Sequence, residues 1–328
     1  MSTAARTHSV VVPTLGVRHA SLLGLLEDLA SQSIRPHEIL LITPDDTVTA
    51  LRSQIERFNC DGVIRVMRAR EGTASQRNVG LAYATADLVH FLDDDVRVEP
   101  DYLTVMDRAF DDLDTVGAMG NIVELLPRTT IGVRRILRRI ALAEPGQGCV
   151  GRAGTNQPVR DRDLDRWVEW MPGGAMSVRR SVVQDLRFDE GLQEGPTGTY
   201  ALGEDVDFSY RVASRGRLRF VSKARVRHPG PSSEMLRQDD PLFYEMRALS
   251  RRHLVGKDVH RLSITALRWS QALEAAWLGL RCSLGQVRWD CVVGFARGAW
   301  CSHALLDVDA CPSALDDRVA TSTGRSEL

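Results

Sequence analysis

Leu88-Val89-His90-Phe91-Leu92-Asp93-Asp94-Asp95 decides the fold, because an apolar run of strand length ends abruptly in three carboxylates. A short unbroken apolar segment is the pattern of a strand buried on both faces. Three adjacent aspartates repel one another and are costly unless a cation or hydrogen-bond donors offset them. At the end of a buried strand they form an oxygen-rich site suited to Mg2+ or Mn2+, which keeps some water and bridges phosphate oxygens. The plainer alternative is a solvated acidic turn.

Upstream, the same pattern recurs. Ser9-Val10-Val11-Val12-Pro13 is a β-branched run closed by proline, and Glu38-Ile39-Leu40-Leu41-Ile42-Thr43 is stopped by Pro44-Asp45-Asp46. Residues 63–67 read as a further strand. Between the strands lie helical patterns over residues 20–32, with Leu22, Leu23, Leu25, Leu26 and Leu29 on one face, over 51–58 and over 75–84. Strand–helix alternation implies an α/β fold with a mostly parallel sheet flanked by helices. Ligands of such sheets bind outside the carboxyl ends of the strands. The polar clusters Thr43-Pro44-Asp45 and Asp93 to Asp95 fall at those ends.

Downstream, residues 129–167 are broken by Gly, Pro, Arg and Asp and read as an insertion or loop. Beyond residue 233 the pattern turns helical, and the Asp-, Ser- and Thr-rich end from 312 is expected to be disordered. The expected division is a catalytic domain over 1–232, a helical C-terminal region over 233–311 and a tail over 312–328. The balance of 42 Lys+Arg against 43 Asp+Glu gives a net charge of -1 over 328 residues, which gives no reason to expect a nucleic-acid partner. Charge is concentrated locally: Arg211, Arg215, Arg217, Arg219, Lys223, Arg225 and Arg227 follow one another with no acid between them. A diphosphate is one reading of that run and a solvated face the other. Six cysteines without a C-x-x-C pair argue against a zinc site and a disulfide framework. With no charged-then-apolar leader and no bilayer-length apolar run, the expectation is a reduced, cytoplasmic protein.

Two more signals follow. Gly203-Glu204-Asp205-Val206-Asp207-Phe208 places carboxylates at a helix start, where the macrodipole favours them whether or not they are catalytic. His228 stands at the end of the basic run, as a ligand or as a structural histidine.

Together these segments resemble the family 2 glycosyltransferases, which have the GT-A nucleotide-sugar-binding fold; the resemblance spans about residues 9–252. Val10-Val11-Val12-Pro13-Thr14 resembles the first strand of the family. Ala74-Ser75-Gln76-Arg77-Asn78-Val79-Gly80-Leu81 followed by Phe91-Leu92-Asp93-Asp94-Asp95 resembles its Arg-Asn-x-Gly helix and DxD motif. Trp170-Met171-Pro172-Gly173-Gly174-Ala175 resembles the Gly-Gly segment beneath the donor sugar, and Gly203-Glu204-Asp205 the loop that carries the catalytic base. The resemblance implies an inverting transfer of a sugar from a nucleotide-diphosphate donor to a hydroxyl acceptor, whether saccharide, lipid-linked or small molecule. It implies Asp205 as general base beside Glu204, and Asp95 and His228 as ligands of Mg2+ or Mn2+. Pro13, Thr14, Arg77, Asp93, Asp94, Gly173 and Gly174 become donor-binding residues. Where many relatives carry an Asp for the nucleotide base, this chain has Thr43, with Asp45 two residues on. A sugar nucleotidyltransferase would carry a Gly-rich, Arg- and Lys-bearing loop after the first strand, which Pro13-Thr14-Leu15-Gly16-Val17-Arg18 matches poorly. A non-catalytic nucleotide-sugar-binding protein is the other rival.

Peripheral contact with the inner face of the plasma membrane is a further reading. Residues 128–142 place Arg134, Arg135, Arg138 and Arg139 beside an apolar face, as interfacial helices do. Trp269, Trp277, Trp289 and Trp300 are expected first to pack the C-terminal helices onto the catalytic domain, with a membrane as the alternative.

Overall fold

The computed structural model describes residues 5–58, 63–125, 146–192, 202–228, 240–257 and 262–300. Strands β1 (His8–Pro13), β2 (Glu38–Thr43), β3 (Ile64–Arg68) and β4 (Leu88–Leu92) pair in the order β3-β2-β1-β4, all parallel. The crossovers are α1 (His19–Ala30), α2 (Val48–Ile55) and α3 (Thr73–Tyr83). Period-two alternation explains why β1 is apolar at consecutive positions. Val10 and Val12 pack with Leu22, Leu25, Leu26 and Leu29 of α1, while Val11 between them packs with Ala74 and Leu81 of α3. Each fully buried leucine of α1 contributes roughly 1.5–3 kcal/mol. On the other face α3 lies so close to β1 that a Cβ on Gly80 would stand 2.2 Å from Val11 Cγ1.

The strand order reverses between β1 and β4, so their carboxyl ends open the crevice in which such sheets bind ligands. Beyond β4 come β5 (Arg97–Val98), α4 (Tyr102–Ala109), β6 (Thr115–Ile122), β7 (Arg166–Val168), β8 (Ala175–Arg179), α5 (Arg180–Val183), α6 (Glu204–Ala213) and β9 (Arg217–Arg227). The sheet continues β8-β6-β9-β5, with β7 on β9. Here β8 runs antiparallel to both β4 and β6, and β6 and β9 are parallel. The α/β architecture expected from the sequence is the one observed. The basic helix expected over 128–142 and the tail over 312–328 lie outside the described residues.

The C-terminal region is three helices, α7 (Pro241–Gly256), α8 (Ile264–Ser283) and α9 (Trp289–Trp300). Asp240 caps α7 by accepting the Leu242 N–H at 2.9 Å, and Ser263 caps α8 through the Ala266 N–H. Phe243, Tyr244, Ala248, Leu278, Val287, Cys291, Phe295 and Ala299 form a core of their own between these helices. Gly294 and Gly298 bring α9 onto the backbone of α7, where a Cβ would stand 2.3 Å from Pro241 O and 2.1 Å from Glu245 O. A polar seam joins the bundle to the catalytic domain: Asp189 meets His253 Nε2 at 2.6 Å and also Lys257, which reaches Asp207 of α6 at 2.8 Å. Of the four tryptophans expected to pack the bundle, Trp269, Trp289 and Trp300 are 50%, 66% and 53% exposed, and Trp277 is half-buried. Toward the domain, Leu254 of α7 packs with Val150, Trp170 and Val206.

Candidate active site

The three aspartates after β4 resolve their mutual repulsion by taking different partners. Asp93 accepts from Arg77 Nη2 at 3.1 Å. Asp94 is turned inward and accepts from the hydroxyl of Thr14, just past β1, at 2.6 Å. Asp95 faces His228 Nε2 at 3.1 Å through Oδ1. Arg18, on the loop between β1 and α1, spans Asp94 at 3.3 Å and Asp95. Burial pushes the Asp94 carboxyl above its ordinary value, against the pull of Thr14 and Arg18. Burial works in the same sense on Asp95, but His228 and Arg18 outweigh it and hold that carboxyl below the usual range.

Strand β9 delivers His228, whose backbone N–H is held by Glu124 at 2.7 Å. Metal ligands at about 2.1 Å set at right angles stand about 3.0 Å apart, close to the observed Asp95–His228 separation. An oxygen and an imidazole nitrogen fit a divalent cation that draws its remaining ligands from phosphate and water. Among the described residues no cluster of three or more His, Cys, Asp or Glu side chains is poised to hold an ion by itself. The residues present therefore suit a cation that arrives with a phosphorylated ligand better than a permanently caged one.

Opposite these aspartates lies the N-terminus of α6. Its cap residue Gly203 has φ 88°, a left-handed conformation that glycine adopts at least cost. Glu204 is buried and accepts from Arg77 Nη1 at 2.9 Å. The buried guanidinium of Arg77 is thus a strut between the strand end at Asp93 and the helix start at Glu204. Burial opposes its charge, and Asp93, Glu204 and Asp205 more than offset that cost and raise its pKa. The glycine pair fits around this strut. A Cβ on Gly173 would lie 2.4 Å from the Arg77 guanidinium nitrogens, and one on Gly174 would lie 2.4 Å from Asp93 Oδ2. Lack of a side chain at both positions is thus required by the Arg77–Asp93 pair itself.

Asp205 accepts from the Gly173 N–H at 3.3 Å and the Val206 N–H at 2.8 Å. Its pKa is pushed up to about 7, first by burial and then by the Glu204 carboxylate, against Arg77 and the two N–H donors. A half-buried carboxyl raised toward neutrality is matched to proton transfer near neutral pH.

The remaining residues fall as follows. Pro13 closes β1 beside Ile42. Thr43 is buried with its hydroxyl on that of Thr47. Asp45 is turned to solvent, 78% exposed, and pairs with Arg68 at 3.3 Å. Five of the seven basic residues of the run are engaged elsewhere, and Lys223 and Arg225 are exposed, which favours the solvated-face reading over a diphosphate. Arg211 pairs with Asp207, Arg215 with Asp185, Arg219 with Asp165 and Arg227 with Glu99, and Arg217 stacks on Trp167. Sequence reasoning missed two residues. Arg18 carries the cation that the aspartates need, and Gln76 donates to Thr14 O and Ile42 O at 2.8 and 2.6 Å, lashing α3 to the strand ends. Gln76 lies within the Arg-Asn-x-Gly segment, one residue before Arg77, and Arg18 is a lone basic residue in the first loop. A cleft of about 860 Å³ along edge strand β3, lined by Arg52, Arg65, Arg68 and Tyr83 among others, touches none of these carboxylates.

A parallel sheet with acids at its switch point and a second acidic pair on the facing helix defines a domain of the GT-A class. The chain belongs to glycosyl transferase family 2, whose family model matches residues 9–187. It is similar to the pre-mycofactocin glycosyltransferase of Mycobacterium tuberculosis strains CDC 1551 / Oshkosh and ATCC 25618 / H37Rv, 30% identical over 198 residues. That match covers 60% of this chain and 38% of the relative, so the chain spans well under half of the protein it resembles. Among solved structures, the mannosyltransferase PcManGT from Pyrobaculum calidifontis, in complex with GDP-Man and Mn2+, matches with TM-score 0.54 at 16% identity, over 92% of this chain and 89% of that one. GalNAc-T7 with UDP, GalNAc and Mn2+ matches with TM-score 0.52 at 15% identity, over 82% and 55%. At these identities the likeness establishes the fold.

Proposed function

We propose that this chain transfers a sugar from a nucleoside diphosphate to a hydroxyl acceptor, with inversion at the anomeric carbon. The observation that carries the reading is the convergence on Arg77: one buried guanidinium ties the aspartates at the switch point to the helix start that bears Asp205. Asp205 takes the proton of the acceptor hydroxyl as its oxygen forms a bond to the anomeric carbon. The bond from that carbon to the diphosphate oxygen breaks, and the diphosphate leaves with the electron pair. A single displacement with one base inverts the centre. Glu204 is committed to Arg77 and acts as a positioning residue, which leaves Asp205 as the base. Bound at Asp95 and His228, Mg2+ or Mn2+ would supply Lewis-acid neutralisation of the departing charge. Arg18 keeps Asp94 and Asp95 side by side, and Thr14 holds Asp94 inward, leaving Asp95 turned to His228. Support for a nucleotide-sugar donor and for the metal comes from the family and from the ligands named for the two solved neighbours.

The test is release of nucleoside diphosphate from UDP-, GDP- and dTDP-sugars with Mn2+ and an acceptor panel, with product anomer read by NMR. General-base assistance is worth about 10²–10⁴-fold. Asp205→Asn is expected to cut turnover by roughly that factor while donor affinity holds. Turnover at the wild-type rate in that variant would remove Asp205 from the role, and donor binding without release under every condition would favour a binding protein.

A further inference from the structure

The apolar face left open by the C-terminal helices has a regular geometry. On α8 the buried positions Ala266, Leu267, Ser270, Gln271 and Leu278 face the rest of the protein. On the other side Trp269, Ala272, Ala276 and Leu280 are exposed, and Leu284, just past the helix end, continues the line. The spacing of three or four residues makes this one stripe, about 22 Å long at 1.5 Å per residue. On α9, Trp289 and Trp300 stand exposed at the two ends, with Val293 and Ala296 half-buried between them at the same spacing.

The charge around the stripe has one sign. Residues 262–300 contain Arg268, Arg281, Arg288 and Arg297 against two acids, Glu274 and Asp290. Glu274 is drawn away by Arg247 at 2.7 Å and Arg251 at 2.8 Å, and Asp290 pairs with Arg288. No ion pair joins Arg268, Arg281 or Arg297 to a carboxylate of the described residues. An apolar strip with tryptophans along it and exposed arginines beside it, Arg268 on α8 and Arg297 on α9, is the composition of a helix lying in the headgroup region of an anionic bilayer. A spanning arrangement is not at issue, since no helix of the described residues is long and apolar enough to cross a membrane.

We propose that the exposed stripe of α8, with the tryptophans of α9, docks this protein on an anionic membrane surface, the helix parallel to the bilayer plane. This inference goes beyond the proposed transfer reaction and is independent of it, because its readout is lipid binding and not turnover.

The experiment is flotation of the full chain with phosphatidylcholine vesicles and with vesicles that also contain phosphatidylglycerol. The protein is expected to float with the anionic vesicles, and less as salt is raised. Interfacial arginines contribute roughly fivefold each to such binding, so the pair Arg268→Glu, Arg297→Glu is expected to lower partitioning at least about thirtyfold. Trp269→Ser with Leu280→Ser is expected to lower it by a comparable factor. All four positions are outside the core, so circular dichroism and thermal midpoint should be unchanged and serve as the folding control. Absence of flotation with anionic vesicles, or equal flotation of the variants and the parent, overturns the proposal. So does a dimer in light scattering that the Trp269→Ser, Leu280→Ser variant dissolves, because that result assigns the stripe to a second copy.

Discussion

The two halves of the catalytic domain hold their functional groups by different means. In the half proposed to bind the nucleotide, the nucleotide half, β1, β2 and β4 are buried at every position, and the candidate site residues hang from strand ends fixed by backbone pairing and apolar packing. In the half that carries the proposed base, the base half, β9 alternates between buried and exposed, β7 has three residues, and α6 is tied down by polar side-chain contacts: Glu204 on Arg77, Asp207 on Lys257, Ser209 on the backbone of Met171. The first arrangement rests on many interchangeable apolar contacts. The second has an apolar core as well, with Val206, Phe208 and Val212 of α6 buried, and adds to it a few long-range polar pairs.

If that contrast holds, the most damaging single change is at the strut between the halves. Arg77→Met keeps an unbranched apolar stem and removes the guanidinium, leaving Asp93 and Glu204 without their shared partner. Glu204 is buried with its carboxylate committed to that guanidinium. Breaking a buried pair from one side costs roughly 3–5 kcal/mol, because the remaining charge is uncompensated. We expect a loss of that order in denaturant unfolding and loss of turnover. A variant with unchanged midpoint would show that the halves are held together by apolar packing alone.

A smaller effect is expected in the seam between the base half and the helical bundle. Asp189 is 22% exposed, and His253 and Lys257 hold its carboxyl well below the ordinary range in spite of burial. Asp189→Asn removes charge-assisted hydrogen bonds worth roughly 1.5–3 kcal/mol. The sign of the pH dependence follows from the depressed folded value. The contribution is fully present above the unfolded carboxyl value near 3.9 and is lost as pH falls through the folded one. The gap in stability between parent and variant should therefore close in strong acid. A gap that persists unchanged in acid would mean that the ion pairs do not carry the seam.

The same contrast explains what could be read without coordinates. The parallel half was legible because apolar runs such as Val10-Val11-Val12 and Ile39-Leu40-Leu41-Ile42 signal strands locally, and strand–helix alternation then dictates the topology. Strand β6 was not legible: Thr115-Val116-Gly117-Ala118-Met119-Gly120-Asn121-Ile122 carries two glycines and no branched run, although the strand is almost wholly buried. Asp93, Asp95, Asp205 and His228 stood out by residue type and order. Arg77 stood out through its motif, but its part as a strut did not, and Arg18 did not stand out at all, because both acquire these roles only when segments 127 and 77 residues away fold against them. Tryptophan misled in the bundle, since its average burial says nothing about the side of a helix from which it projects.

The finest test of the comparison is in the nucleotide half, at Thr14. Its hydroxyl donates to Asp94 at 2.6 Å and accepts from the Gly16 N–H at 3.0 Å, so Thr14→Val strips a buried carboxylate of its closest donor at nearly constant volume. The backbone of this half should hold, because Thr14 N–H still reaches Ile42 O and Gln76 still grips both strand ends. Burial has already raised the Asp94 pKa, so protonation offers a low-cost escape from an unpaired charge. We expect a loss of only about 1 kcal/mol near neutral pH, the size of an ordinary hydrogen bond. Asp94 binds its proton more tightly folded than unfolded, so its contribution is present below the unfolded value near 3.9 and lost as pH rises through the folded one. Thr14→Val raises that folded value further. The variant should therefore match the parent in acid and fall behind as pH climbs. A deficit as large as that of Arg77→Met, or one that is greatest in acid, would mean that the strand end depends on the Thr14–Asp94 bond and not on backbone pairing.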